Sequence, residues 1–148
     1  MEDTVFKLER EGLKKASLGK RLIAMTIDDF LISVIIVFAF SSSFANAKTY
    51  EDIVVLTDTL FVYIFISYTL YHWIFIALYG KTVGKMAVKI KVVDVDTLDN
   101  PSWSRAFLRS LFRNFDEMFF YLGMAYAFVD PLNRAIHDII GKSVAVED

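Results

Sequence analysis

Twenty-one consecutive residues, Thr59 to Tyr79 (TLFVYIFISYTLYHWIFIALY), contain no Asp, Glu, Lys or Arg. Coiled as a helix at ~1.5 Å per residue, such a run matches the ~30 Å hydrocarbon core of a bilayer. A second run, Leu22 to Phe40, is apolar over nineteen residues apart from Thr26, Asp28, Asp29 and Ser33. Two ionised aspartates at the bilayer centre would cost roughly 5–7 kcal/mol, at ~2.5–3.5 each. The Leu, Ile, Val and Phe around them offset much of this, and the pair lies towards the Arg21 end. A mean hydropathy of +0.44 with 55% apolar residues would also suit a greasy soluble chain, but here the apolar residues are gathered into two long runs. Both runs read as transmembrane helices. Phe30–Phe40 followed by SSSFANA also resembles a signal-peptide core and cleavage site. Six acids precede that core (Glu2, Asp3, Glu9, Glu11, Asp28, Asp29), which favours a retained anchor.

The basic residues orient these spans. Of sixteen Lys and Arg, six fall in residues 1–21, one (Lys48) in the polar connector 41–58, and nine after Gly80. By the positive-inside rule both termini are cytoplasmic and the connector is external, in a multi-pass protein of the cell's inner membrane. Residues 1–21 read as a short cytoplasmic tail. Val5, Phe6, Leu8, Leu13 and Leu18 also offer a face for an interfacial helix.

After Gly80 the pattern changes. Met86, Val88, Ile90 and Val92 alternate with Ala87, Lys89 and Lys91, the period-two signature of a half-buried strand. Asp94–Ser102 is a turn-rich loop around Asn100-Pro101. Residues 103–129 read as an uneven helix, whose uncharged stretch Met118–Val129 is too short to span. It must lie along the surface or dip in and return; a third span with an external C-terminus is the rival. Asp130-Pro131 ends it. A short helix over 132–140 and a strand over 143–146 complete the chain. The expected fold is mainly α: a first segment 1–21, then a membrane domain 22–148. That domain holds spans 22–40 and 59–79, an amphipathic or re-entrant third helix and a small cytoplasmic two-strand β element.

The sequence also excludes chemistries. It has no Cys, two His (His72 and His137) and a net charge of −2, so neither a thiolate site, a zinc cluster nor a nucleic-acid surface is expected. No cofactor or metal is implied, and no nucleophile–base set suggests an enzyme. Gly80-Lys-Thr-Val-Gly84-Lys85 is one residue short of a phosphate loop and Met86 stands where Ser or Thr belongs, so a helix-ending Gly with lysines at the headgroups is the better reading. Arg21 and Asp28 are seven apart on one helix face, ~10.5 Å along the axis, within direct or water-mediated reach. Asp29 points ~100° away. Either acid is a functional candidate or a polar clamp between helices. His72 is expected to be neutral and hydrogen-bonded to backbone or Tyr, with a proton relay as the alternative. Arg105, Arg109 and Arg113 form a basic stripe that reads as facing lipid headgroups. Asp116 and Asp138 are its counter-charges if it turns inward.

RLIAMTID (Arg21–Asp28), YGKTVGKMAVKIKVVD (Tyr79–Asp94), RSLFRNFDE (Arg109–Glu117) and AIHDIIGKSVAV (Ala135–Val146) together resemble, in order, the blocks of the RDD family of membrane proteins. The family is named for one arginine and two aspartates. Arg21 and Asp28 match the first two, and Asp138 beside His137 is the choice for the third, with Asp116 in reserve. Asp29 stands where the family is usually apolar, and Ser143 replaces the usual Thr. The resemblance implies a two-span module, alone or fused to other domains, with transport of a ligand suspected.

Two functions follow as expectations. One is an oligomeric transporter of a small solute or cation, proton-coupled through Asp28. The other is a membrane scaffold or assembly factor whose charges lock helices. Two or three helices cannot enclose an aqueous path, so the first needs a homo-oligomer or a membrane partner protein, besides the bilayer itself. The ligand is not named by the sequence. The topology is testable by cysteine labelling: Lys48→Cys should react with an impermeant thiol reagent in intact cells and Asp148→Cys should not. Labelling at position 148 alone would refute the two-span arrangement.

Overall fold

The structure is a computed structural model that describes residues 2–119 and 122–148. Its frame is a pair of long apolar helices. Helix α1 (Glu2–Arg10) leads to α2 (Leu18–Ala39), which starts where the Ser17 hydroxyl accepts the Lys20 N–H. After the short α3 (Ser41–Asn46), α4 covers Tyr50–Tyr79 and ends at Gly80, whose φ of 67° lies in the left-handed region. At ~1.5 Å per residue, 22 and 30 residues give ~33 and ~45 Å, so both helices can cross a bilayer. Their apolar side chains are mostly uncovered by protein: Phe38 is 76% exposed and Phe61 59%. A core helix of a soluble protein would hide these rings; here lipid is the solvent they fit.

Helix α4 begins nine residues before the expected Thr59. Thr49 and Asp52 form a capping box, and Glu51 and Asp52 lie at the positive end of the helix dipole, so the polar segment 50–58 is also helical.

The expected two-strand element is present. Strand β1 (Ile90–Asp94) pairs antiparallel with β2 (Ser143–Glu147), from Ile90 opposite Glu147 to Asp94 opposite Ser143. Its start differs from the expected Met86. Thr82 caps a short helix, α5 (Val83–Ala87), and Lys89 at φ 55° turns the chain into the strand. The N-terminal segment is not a free tail. Lys15 bridges to Val146, the Ala16 N–H reaches the Ala145 carbonyl at 2.9 Å, and Leu8 is buried with Val93, Leu132, Val144 and Val146. Phe6 stays 76% exposed, outside that cluster. The segments leading to both termini therefore share one cap.

The helix expected over 103–129 is divided. Helix α6 covers Trp103–Met118, α7 Leu122–Ala125, and a 3-10 turn Tyr126–Phe128. The expected helix 132–140 shortens to α8 (Ile136–Ile140), because Asp130 accepts the Leu132 and Arg134 N–H groups and Asn133 adopts φ 54°. Helix α6 runs antiparallel beside α4. The Trp73 indole donates to the Trp103 carbonyl at 2.9 Å, and Asn114 donates to Phe65 O at 3.1 Å and Thr69 Oγ1 at 2.5 Å. Its polarity is inverted: Arg109, Ser110, Arg113 and Asn114 are buried, while Phe107, Leu108, Phe112 and Phe115 are exposed. The outer face of this helix, alongside a span, is therefore apolar.

Deleting residues 142–148 removes Val144 and Val146, both 0% exposed. At ~1.5–3 kcal/mol for each buried Val, the loss is roughly 3–6 kcal/mol. The truncated chain should show a sharply lower thermal midpoint and folded yield although no span is touched; an unchanged midpoint would mean that the strand contributes nothing to the fold.

Candidate functional site: a buried charge cluster between the spans and the cap

Asp28 stands ten residues into α2 and is wholly buried. Its expected partner was Arg21, but the two do not meet. Tyr71 Oη donates to Asp28 Oδ1 at 2.7 Å, the Gly84 N–H donates to the same oxygen at 2.8 Å, and Thr82 Oγ1 donates to Oδ2 at 2.6 Å. Both oxygens are thus occupied, as a buried carboxylate requires. The loop can come this close because position 84 lacks a side chain. A Cβ there would lie 2.0 Å from the Ala24 carbonyl oxygen and 2.9 Å from Asp28 Cγ.

Arg21 reaches the other way, towards α8. It donates to Asp138 Oδ2 and to the Asn133 carbonyl. Arg109 Nη2 approaches Asp138 Oδ1 at 2.5 Å, and the Ala135 N–H donates to Oδ2 at 3.0 Å. Burial pushes the Asp138 carboxyl up, but the Arg109 and Arg21 guanidinium groups together hold it well below the usual carboxylate range. His137 Nδ1 lies 2.5 Å from Asp116 Oδ2. Burial lowers the His137 imidazole despite Asp138 and Asp116, and a carboxylate facing Nδ1 favours the ring N–H on that nitrogen. Asp29, with its side chain 27% exposed, lies 3.4 Å from Arg113 Nη2.

The basic stripe therefore does not face headgroups. Arg109 and Arg113 are buried against Asp138 and Asp29, and Arg105 bonds Asp94 at 2.5 Å and Asp96 at 2.8 Å. The reason is electrostatic: aspartates buried on α2 and α8 need cations at the same depth. Lys85 is turned inward as well, its side chain 8% exposed and its ammonium 4.0 Å from Asp28 Oδ2. Burial, with Arg113 and Arg109 nearby, lowers it to about 7 against the pull of Asp28. Gly80 does end a helix as expected, but Lys85 is not a headgroup lysine.

His72 packs on Tyr71 with ring centroids 5.0 Å apart. Its Nε2 is buried and has no hydrogen-bond partner among the described residues, so the expected bond from that nitrogen is not made. Also among the described residues, no group of three or more His, Asp or Glu is arranged to hold a metal ion.

All eight sequence candidates meet in this region: Arg21, Asp28, Asp29, Arg109, Arg113, Asp116, His137 and Asp138. Sequence reasoning missed Tyr71, Thr82, Gly84 and Lys85. Three of these stand in the G-x-T-x-G-K block, which was available as a signal for a cradle.

A helical hairpin of apolar spans, tied to a small mixed cap by buried ion pairs, is the architecture of an integral membrane module. The RDD family model matches residues 15–142, and the chain belongs to the RDD family. No curated protein and no solved structure matches it.

Two glycines test the cradle. Gly84→Ala forces a methyl group into the Ala24 carbonyl and should cost ~3 kcal/mol or more, above the ~1–3 usual for overpacking. Gly19→Ala, in α2 with nothing within 4 Å, should gain ~0.5–1 kcal/mol. Thermal midpoints in one detergent compare them; equal midpoints would deny the close approach.

Proposed function

We propose that this chain is a subunit of an oligomeric, proton-coupled transporter of a small solute or cation, with both termini in the cytoplasm. The observation that carries this reading is the composition of the buried cluster. Four basic side chains (Arg21, Lys85, Arg109, Arg113) stand with four acidic ones (Asp28, Asp29, Asp116, Asp138) where the apolar spans meet the cap. Ionisable groups at that depth cost several kcal/mol unless matched, and a purely anchoring hairpin would do as well with apolar packing. Two spans cannot wall an aqueous path, so transport takes a homo-oligomer or a partner protein.

The scaffold reading has one specific observation in its favour. Asp28 is so completely bonded that it resembles a clamp more than an exchange site.

Proteoliposomes separate the two. With an imposed pH gradient, the native chain should move protons against sodium or potassium well above protein-free vesicles. Asp29→Asn, at the cluster's more exposed carboxylate, should cut that flux while cross-linking and elution volume stay unchanged. No flux from a well-assembled native chain would leave the scaffold reading in its place.

A further inference from the structure

Of the eight charges in the cluster, Arg21 and Arg109 share Asp138, Arg113 lies beside Asp29, Asp28 has three donors and Asp116 is bonded to the His137 ring. Lys85 is the exception. An ammonium has three N–H groups to satisfy. Among the described residues, Lys85 Nζ has one acceptor within hydrogen-bond range, Thr82 Oγ1 at 3.3 Å. Asp28 Oδ2 is next at 4.0 Å, and that oxygen already accepts the Thr82 hydroxyl at 2.6 Å.

The surroundings favour the uncharged amine. From α2 come Arg21 and Asp28, and from α6 come Arg109 and Arg113, three cations against one anion. Asp138 is shared by Arg21 and Arg109, and Asp29 lies beside Arg113, so these anions do little for Lys85. Helix α4 contributes Tyr71, whose hydroxyl is committed to Asp28, and His72. His137 on α8 is turned to Asp116.

We propose that Lys85 is the proton-binding residue of the buried cluster, alternating between ammonium and free amine, while Asp28 remains a fixed counter-charge. Release passes one proton from Nζ to water and leaves the nitrogen lone pair on Lys85. The eight-residue cluster then goes from neutral to one net negative charge. This deepens the transport reading by naming its proton carrier, and it is tested apart from flux.

The chain has ten lysines, and the side-chain ε-carbon shift reports the protonation of each. NMR of the full chain in nanodiscs, labelled at lysine ε-carbons, should show one signal titrating near about 7, and the rest near the ordinary ~10.4. That signal should vanish in Lys85→Met and in Lys85→Arg. If neither variant folds, the native spectrum still decides, because a lysine titrating near neutrality is either there or not. A set of lysines all titrating in the ordinary range, or a near-neutral signal that survives both variants, overturns the proposal. A near-neutral Lys85 in a chain that moves no solute upholds the proton site and removes the transport reading.

Discussion

A carboxylate with no solvent contact, ten residues inside a helix bathed in lipid, dictates where the rest of the chain must go. Asp28 needs several donors, and one neighbouring helix cannot supply them all. Tyr71 on α4 gives one; the others come from Thr82 and the Gly84 amide, in the segment just past the second span. Meeting that demand pulls 82–84 against the backbone at Ala24, which only glycine at position 84 permits. Helix α5 is thereby fixed against α2, and β1 starts where the cradle ends.

The second anchor works by the same physics. Asp138 draws Arg21 from the first turn of α2 and Arg109 from α6, so one buried oxygen pair ties three helices. Removing either partner of such a pair leaves an unpaired charge and costs roughly 3–5 kcal/mol, more than the pair contributes when intact. Geometry is enforced by that penalty. It also explains the inverted α6: its cations point inward to Asp138 and Asp29, which leaves the phenylalanines outside for lipid.

Legibility in the sequence followed the range of the interaction. The two spans were legible because twenty or so apolar residues have few other fates, and the strand pair because short β-prone runs are local, though the alternation read from Met86 placed the start of β1 four residues early. The capped start of α4 was written in Thr49 and Asp52, yet hidden by the polarity around it. The direction of the Arg105–Arg113 stripe was not readable. A basic face on an amphipathic helix suits headgroups or buried acids equally, and the acids in question lie 29 residues downstream of Arg109 and 84 upstream of Arg113. Pairing Arg21 with Asp28 failed for the same reason. Spacing on one helix shows what can meet, but the partner that wins is set by which groups lack donors once the chain has closed.

The N-terminal segment shows how far this closure extends. Lys15 and Ala16 add a bridge beside β2, the Lys15 ammonium donates to the Pro131 carbonyl at 2.9 Å, and Asn133 Nδ2 donates to the Ala16 carbonyl at 3.2 Å. The same Asn133 offers its own carbonyl to Arg21. Residues 15–21, 130–138 and 143–147 are therefore one bonded unit, and its inner face carries the Arg21–Asp138 contact. A shift of the cap would reach the buried charges directly, because Asn133 bonds both Ala16 and Arg21. Conversely, a change of charge inside the cluster would press on the bonded cap, and through Lys15, Lys20 and Glu147 on the strands that close the protein. One continuous set of hydrogen bonds and ion pairs thus runs from the strands of the cap to the buried aspartates.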